Sequence, residues 1–204
     1  MVSASCESPR PPLLHTADTG LKIVITGGFG VGKTTMVRAV SEIEPLSTEA
    51  EMTEASVGVD DLARTPEKTA TTVAFDFGRI TLDAELVLYL FGAPGQKRFQ
   101  SLWERMSRGA LGAVVLVDTR QLDDSFPFLG MLENKGVPFV VAHNVFGDED
   151  RHHELQDIRH ALGLDGQVPV MRCNARCRDS VVQVLVHLVM YLMGQVLDGQ
   201  GGGQ

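Results

Sequence analysis

Short apolar runs alternate with amphipathic stretches along most of the chain. Residues 21–26 form an apolar run of strand length, followed by a glycine-rich turn and an amphipathic stretch over 35–43. Residues 72–77 and 85–91 read as two more strands, joined by a short hairpin-like connection near 79–84. Helical spacing follows over 99–108, and then a continuous apolar run over 111–117, the pattern of a strand buried on both faces. A helix over 125–135, a strand over 138–142, a helix over 154–162, a strand over 168–172 and a long helix over 180–197 complete the order.

Strands alternating with helices predict an α/β fold, a doubly wound, mostly parallel six-stranded sheet with helices on both faces. The early hairpin predicts one antiparallel edge strand. Ligands of such sheets sit at the carboxyl ends of the strands. Residues 1–20 carry Pro9, Pro11 and Pro12 among small and polar neighbours and are expected to be a disordered tail. Residues 44–68, rich in Glu, Ser and Thr without sustained periodicity, read as a long functional loop. Residues 198–204 read as a flexible end, which leaves one domain over 21–197.

A net charge of −8 gives no electrostatic support to nucleic-acid binding. Cys6, Cys173 and Cys177 are too few and too scattered for a disulfide framework, and reduced thiols in a cytoplasmic protein are expected. No uninterrupted apolar run reaches the roughly 18 residues that span a bilayer. A signal peptide, a Gly after Met1 and a prenylation Cys in the terminal Gln200-Gly201-Gly202-Gly203-Gln204 are all missing. Direct membrane insertion is not expected, and any visit to a membrane would depend on a partner.

The turn after the first strand reads Gly27-Gly28-Phe29-Gly30-Val31-Gly32-Lys33-Thr34-Thr35 and meets the pattern G-x-x-x-x-G-K-[ST]. Its glycines let successive backbone N–H groups converge on phosphate oxygens, and the following helix adds the positive end of its dipole. Lys33 is expected to reach the β- and γ-phosphates, and the Thr34 hydroxyl to ligate Mg²⁺. A nucleoside triphosphate is thus the expected ligand.

Directly after the third strand, Phe91-Gly92-Ala93-Pro94-Gly95-Gln96 resembles the D-x-x-G-Q segment of Ras-like GTPases. By that resemblance Gly95 senses the γ-phosphate and Gln96 orients the attacking water. Gly92 stands where those proteins carry a Mg²⁺-linked Asp. Asp76, in Phe75-Asp76-Phe77 on the preceding strand, is the nearest replacement, unless it occupies a solvated strand position. Thr71 and Thr72 lie about 20 residues ahead of Gly92 and both fit the switch I threonine that closes on Mg²⁺; Thr71 is preferred because Thr72 can equally begin the strand.

The segments 71–80 and 90–99 together resemble the bacterial small GTPases of actinobacterial conservons (CvnD-like), which are similar to the MglA polarity GTPases. The resemblance covers about 21–197. It implies a Ras-like fold, a GTP/GDP switch with Mg²⁺, and two co-encoded partners, a Roadblock/LC7-type protein and a sensor-kinase-like membrane protein. For the base, Ras-like proteins use N-K-x-D, and this chain has His143-Asn144-Val145-Phe146-Gly147-Asp148. Asn144 matches, and Asp148, one residue late, is either the guanine reader or part of the acidic turn Asp148-Glu149-Asp150. In Cys173-Asn174-Ala175-Arg176 the resemblance assigns the Ala175 N–H to guanine O6 and lays Arg176 over the base.

Arg64 and Lys68 read as solvated loop cations rather than an arginine finger. Lys97, Arg98 and Arg105 read as switch II contacts for a partner, and Trp103 as either such a contact or core. His152 and His153 are adjacent and face different ways, so they read as polar surface. Two rivals to a GTP-driven switch remain open. One is a scaffold that holds nucleotide with negligible hydrolysis; the other is an ATPase or small-molecule kinase, for which no Arg-rich lid or acceptor site is evident.

Overall fold

Apart from one added strand, the order expected from the apolar runs is the order found in the computed structural model, which describes residues 19–44, 46–53, 70–147 and 153–201, apart from the side chains of 46–53, 70–74, 97 and 198–201. The strands are β1 (Thr19–Gly27), β2 (Leu46–Thr53), β3 (Ala70–Thr81), β4 (Leu86–Gly92), β5 (Gly112–Val117), β6 (Phe139–Asn144) and β7 (Val170–Cys173). The helices are α1 (Lys33–Val40), α2 (Gln100–Ser107), α3 (Phe126–Lys135), α4 (Leu155–Ala161) and α5 (Arg178–Gly201). A 3-10 turn, Lys97–Phe99, leads into α2, and 3-10 turns over Thr119–Ser125, broken by a kink at Gln121, lead into α3.

The sheet runs β2-β3-β4-β1-β5-β6-β7, and the pairs from β4 to β7 are all parallel. Only β3 is reversed, antiparallel to both β2 and β4. The doubly wound sheet with one reversed strand is therefore present, but β2 extends it to seven strands and takes the edge from β3. The expected loop over 44–68 hid that strand. In Leu46-Ser47-Thr48-Glu49-Ala50-Glu51-Met52-Thr53 only Leu46, Ala50 and Met52 are apolar, so the overall polarity masked their alternation, and the element is defined by its ladder with β3, from Leu46↔Phe77 to Thr53↔Ala70.

Alternating side chains of the central strands supply two cores, one on each face of the sheet. Ile23 and Ile25 of β1, Leu88 and Leu90 of β4, and Val114 and Leu116 of β5 pack with α1 and α5 through Met36, Val37, Val181, Leu185 and Leu188. Val24, Val115 and Val141 face the other way and pack with Trp103, Phe128, Leu132 and Ile158 of α2, α3 and α4. Burial on both faces is why β5 reads as an unbroken apolar run.

Helix α5 continues to Gly201, into the stretch expected to be a flexible end. Its segment Arg178–Leu197 is long and apolar enough, by length and composition, to cross a membrane. Gln183 and His187 interrupt that stretch, so no unbroken run announced it. Val181, Val184, Leu185, Leu188 and Leu192 recur at helical spacing and pack into the core, while Val186, Met190, Met193, Val196 and Leu197 are exposed. Leu188→Ala should cost about 2–5 kcal/mol of unfolding free energy, and Met190→Ala, on the exposed face, no more than about 0.5 kcal/mol. Urea unfolding of the two variants checks this, and equal losses would contradict the assignment of the two faces.

Candidate functional site

Strand β1 ends at Gly27, and the chain turns through the glycine-rich loop into α1 at Lys33. Gly30 and Gly32 take positive φ, 75° and 104°, which lets the loop curl over the carboxyl ends of the strands. A cavity of about 470 Å³ opens there, with Phe29, Lys33, Thr34, Asp76, Gly95 and Gln96 on its walls. Gly30, Gly32 and Thr35 line it as well. Gly27, Gly28 and Val31 act through their backbones: the Lys33 Nζ donates to Gly27 O (2.9 Å) and Gly28 O (2.6 Å), and Val31 O accepts from Asn144. Burial pushes the Lys33 ammonium down to about 8, and the negative charge of Asp76 opposes that shift.

The structure brings Asp76 to Thr34 at the mouth of the phosphate loop. The Thr34 hydroxyl donates to Asp76 Oδ2 at 2.6 Å, and Asp76 stands directly opposite Gly92 in the β3–β4 register. A Cβ at position 92 would lie 3.0 Å from Asp76 Cβ and 3.1 Å from Oδ2. The glycine in the usual carboxylate position is thus the space that a carboxylate from the neighbouring strand fills. A hydroxyl and a carboxylate beside a phosphate cavity are hard oxygen donors that suit Mg²⁺. No cluster of three or more His, Cys, Asp or Glu groups occurs among the described residues, so a metal held here would also draw on phosphate oxygens and water. Thr71 is not brought to this pair: it lies on β3 opposite Met52, five residues before Asp76, which is about 16 Å at the usual strand rise. Its side chain lies outside the described residues, as do Arg64 and Lys68.

The segment after β4 is held from two sides. Ala93 N donates to Ile25 O (2.8 Å), and Trp103 Nε1 donates to Pro94 O (2.6 Å). Trp103 is buried and packs on Phe128 with ring centroids 4.1 Å apart, so of its two readings the core is the one realised. Held in this way, Gly95 abuts the phosphate loop: a Cβ there would come within 2.7 Å of Gly28 O, Phe29 N and Lys33 Nζ. Gln96 follows on the cavity wall. Arg98, expected as a partner contact, lines the same cavity.

Beside the loop a second hollow of about 240 Å³ includes Thr35, Asn144, Phe146, Asn174, Ala175 and Arg176 on its walls. Asn144 is engaged at both ends of its amide: its Nδ2 donates to Val31 O (2.8 Å) and its Oδ1 accepts from Ala175 N (3.0 Å). The N–H that the resemblance assigns to guanine O6 is therefore spent on tying β6 to the loop after β7. Arg176 N donates to Asn174 Oδ1 (3.0 Å), which shapes that loop. Asp148 lies outside the described residues. Sequence reasoning missed Phe146, whose ring lies 4.2 Å from the Arg120 guanidinium, and Asp118, which accepts from Arg120 Nε (2.8 Å) and Nη2 (2.7 Å). Burial alone would raise the Asp118 carboxyl, but the hydrogen bonds and charge of Arg120 hold it below the usual carboxylate range. The signal was the Asp118-Thr119-Arg120 turn directly after β5, at the ligand edge of the sheet.

A phosphate-binding loop of this form, at the carboxyl edge of a doubly wound sheet, defines a P-loop nucleotide-binding protein. Within that class the chain belongs to the family described as conserved hypothetical ATP binding protein, whose model matches residues 25–195. It is 27% identical over 126 residues to the uncharacterized protein MJ1339 of Methanocaldococcus jannaschii, covering 61% of this chain and 69% of that one. It is 23% identical over 204 residues to the human EF-hand calcium-binding domain-containing protein 4B, covering 94% of this chain but 24% of that one. Among solved structures it resembles the G domain of the T. maritima FeoB iron transporter (TM-score 0.57, 16% identity, 85% of this chain and 99% of that chain). The FeoB G-domain from Methanococcus jannaschii is similar too (TM-score 0.55, 14% identity, 85% and 98%). At these identities the two structures speak for the fold, that of P-loop G domains.

The depressed Lys33 has a consequence for binding. Above pH 8 the empty site loses the ammonium proton, and phosphates in the cavity would restore it, so binding takes up a proton there. Affinity for a nucleoside diphosphate should be flat well below pH 8 and fall by about tenfold per pH unit above it. Lys33→Arg, always charged, should remove the slope. Calorimetry in buffers of different ionisation heat checks the proton uptake, and a flat profile up to about pH 9.5 would contradict a depressed Lys33.

Proposed function

We propose that this protein binds GTP and GDP with Mg²⁺, hydrolyses GTP, and acts as a molecular switch. The observation that carries the reading is the convergence of Lys33, Thr34, Asp76, Gly95 and Gln96 on one cavity at the phosphate loop. In this reading Lys33 and the loop N–H groups hold the β- and γ-phosphates, and Thr34 with Asp76 organises the metal, which supplies charge neutralisation for the phosphates. Gly95 stands at the position of the γ-phosphate sensor, and Gln96 orients the water. The γ-phosphate would order the segment after β4, and hydrolysis would release it.

Several finer points belong to the same proposal. Asp148 reads the guanine, and Thr71 closes on the metal only by leaving its ladder with Met52 of β2. The protein works in the cytoplasm, in bacterial signalling, with a Roadblock/LC7-type regulator, and a sensor-kinase-like protein brings it to the membrane. A second reading, an adenine nucleotide in the same site, is favoured by one observation: the Ala175 N–H is engaged with Asn144. The family's description as ATP-binding points the same way.

Identifying the nucleotide released when the purified protein is denatured, and comparing GTP with ATP affinity with and without Mg²⁺, separates the two. GDP or GTP in the released pool and a preference for guanine are expected; bound ATP or a preference for it would overturn the guanine reading. In single-turnover hydrolysis Gln96→Leu should be slower than the wild type by about 10²-fold. Equal rates would favour a scaffold without turnover.

A further inference from the structure

We propose that Arg98 is a catalytic arginine supplied by the chain itself, placed to hold charge on the γ-phosphate while it is transferred to water. The inference rests on the hydrolase reading and adds to it a residue whose usual source in a Ras-like site is either a second protein or a distant part of the chain.

Four observations support it. Arg98 lines the phosphate cavity together with Lys33, Thr34 and Gln96. It lies two residues beyond Gln96, and the single 3-10 turn Lys97–Phe99, closed by Phe99 N donating to Gln96 O (3.0 Å), folds it back beside that residue. Its guanidinium packs over the Phe99 ring at 4.8 Å from the centroid, and Phe99 is a buried residue that itself lines the cavity. The cation is therefore parked at the cavity wall on an aromatic face, a soft contact worth about 1 kcal/mol that phosphate oxygens can displace. Among the described residues, the charged groups on that wall are two cations, Lys33 and Arg98, and one carboxylate, Asp76.

The charge arithmetic favours an arginine in this place. During hydrolysis a water oxygen forms a bond to the γ-phosphorus while the bond to the β–γ bridging oxygen breaks. The leaving oxygen becomes a terminal oxygen of GDP, and a water proton ends on inorganic phosphate. Negative charge is spread over the equatorial and bridging oxygens, and Lys33, already bonded to two loop carbonyls, approaches them from the loop side alone. A planar guanidinium from the Gln96 side can bond two of those oxygens at once, which a lysine ammonium does less well.

The test reads a transition-state mimic as well as turnover. GDP with aluminium fluoride and Mg²⁺ imitates the transferring phosphoryl group, and its capture by the isolated chain is followed through Trp103, the single tryptophan, which is bonded to Pro94 two residues ahead of Gln96. The wild type is expected to capture it without a partner. Arg98→Ala should lose that capture and slow single-turnover hydrolysis by roughly 10²- to 10³-fold, with GDP affinity changed less than about twofold. Arg98→Lys should recover only part of both. Wild-type protein that hydrolyses GTP but never captures GDP–aluminium fluoride alone, or an Arg98→Ala protein that captures it normally, would overturn the proposal. Wild-type protein that binds no GDP would overturn the hydrolase reading instead, and this inference with it.

Discussion

One hydrogen bond, from the Thr34 hydroxyl to the Asp76 carboxylate, ties together the parts on which the site depends. Thr34 stands in the first turn of α1, which starts only because the loop after β1 delivers the chain there. Asp76 reaches it because β3 runs opposite to its neighbours and sets that residue against Gly92, the last residue of β4. A Cβ at 92 would crowd the carboxylate, at 3.1 Å from Oδ2. The reversed strand, the glycine and the acid therefore act together: β3 presents Asp76 to Thr34, and Gly92 leaves it room. The same charge opposes the desolvation that depresses Lys33.

Around that contact the site is braced by groups that hold backbone rather than ligand. Asn144 uses its side chain to join the phosphate loop at Val31 to Ala175 after β7, which ties three strand ends together. Trp103 fills the core under α2 and, through its indole N–H, holds Pro94 and with it Gly95. Asp118 fixes Arg120 against Phe146 at the far wall. Preorganisation of this kind favours charge stabilisation, because dipoles already in place need not reorganise when a phosphate arrives.

The element order was legible because the central strands are buried on both faces and leave unbroken apolar runs, as β5 does. Strand β2 escaped because Ser, Thr and Glu outnumber its three apolar residues and gave the stretch the look of a polar loop, although it pairs with β3 along its whole length. At the site, the loop from Gly27 to Thr34 was readable since phosphate binding needs those residue types at that spacing. Asp76 was readable only through the gap at Gly92, whereas the Ala175–Asn144 bond joins residues far apart in sequence and leaves no local pattern. Arg98 was legible as part of the 90–99 segment, as a partner contact; its place on the cavity wall depends on the turn Lys97–Phe99.

The transfer of the carboxylate between strands is tested most directly by reversing it. Nucleotide affinity would be measured with and without Mg²⁺ for Asp76→Gly, Gly92→Asp and the double variant, with thermal unfolding as a control for folding. Asp76→Gly should lose at least about tenfold of the Mg²⁺ enhancement, and Gly92→Asp alone should be destabilised by the crowding of Asp76. The double variant, with the acid returned to β4, should regain much of the Mg²⁺ response. An Asp76→Gly protein that keeps the full Mg²⁺ enhancement would contradict the role given to this carboxylate.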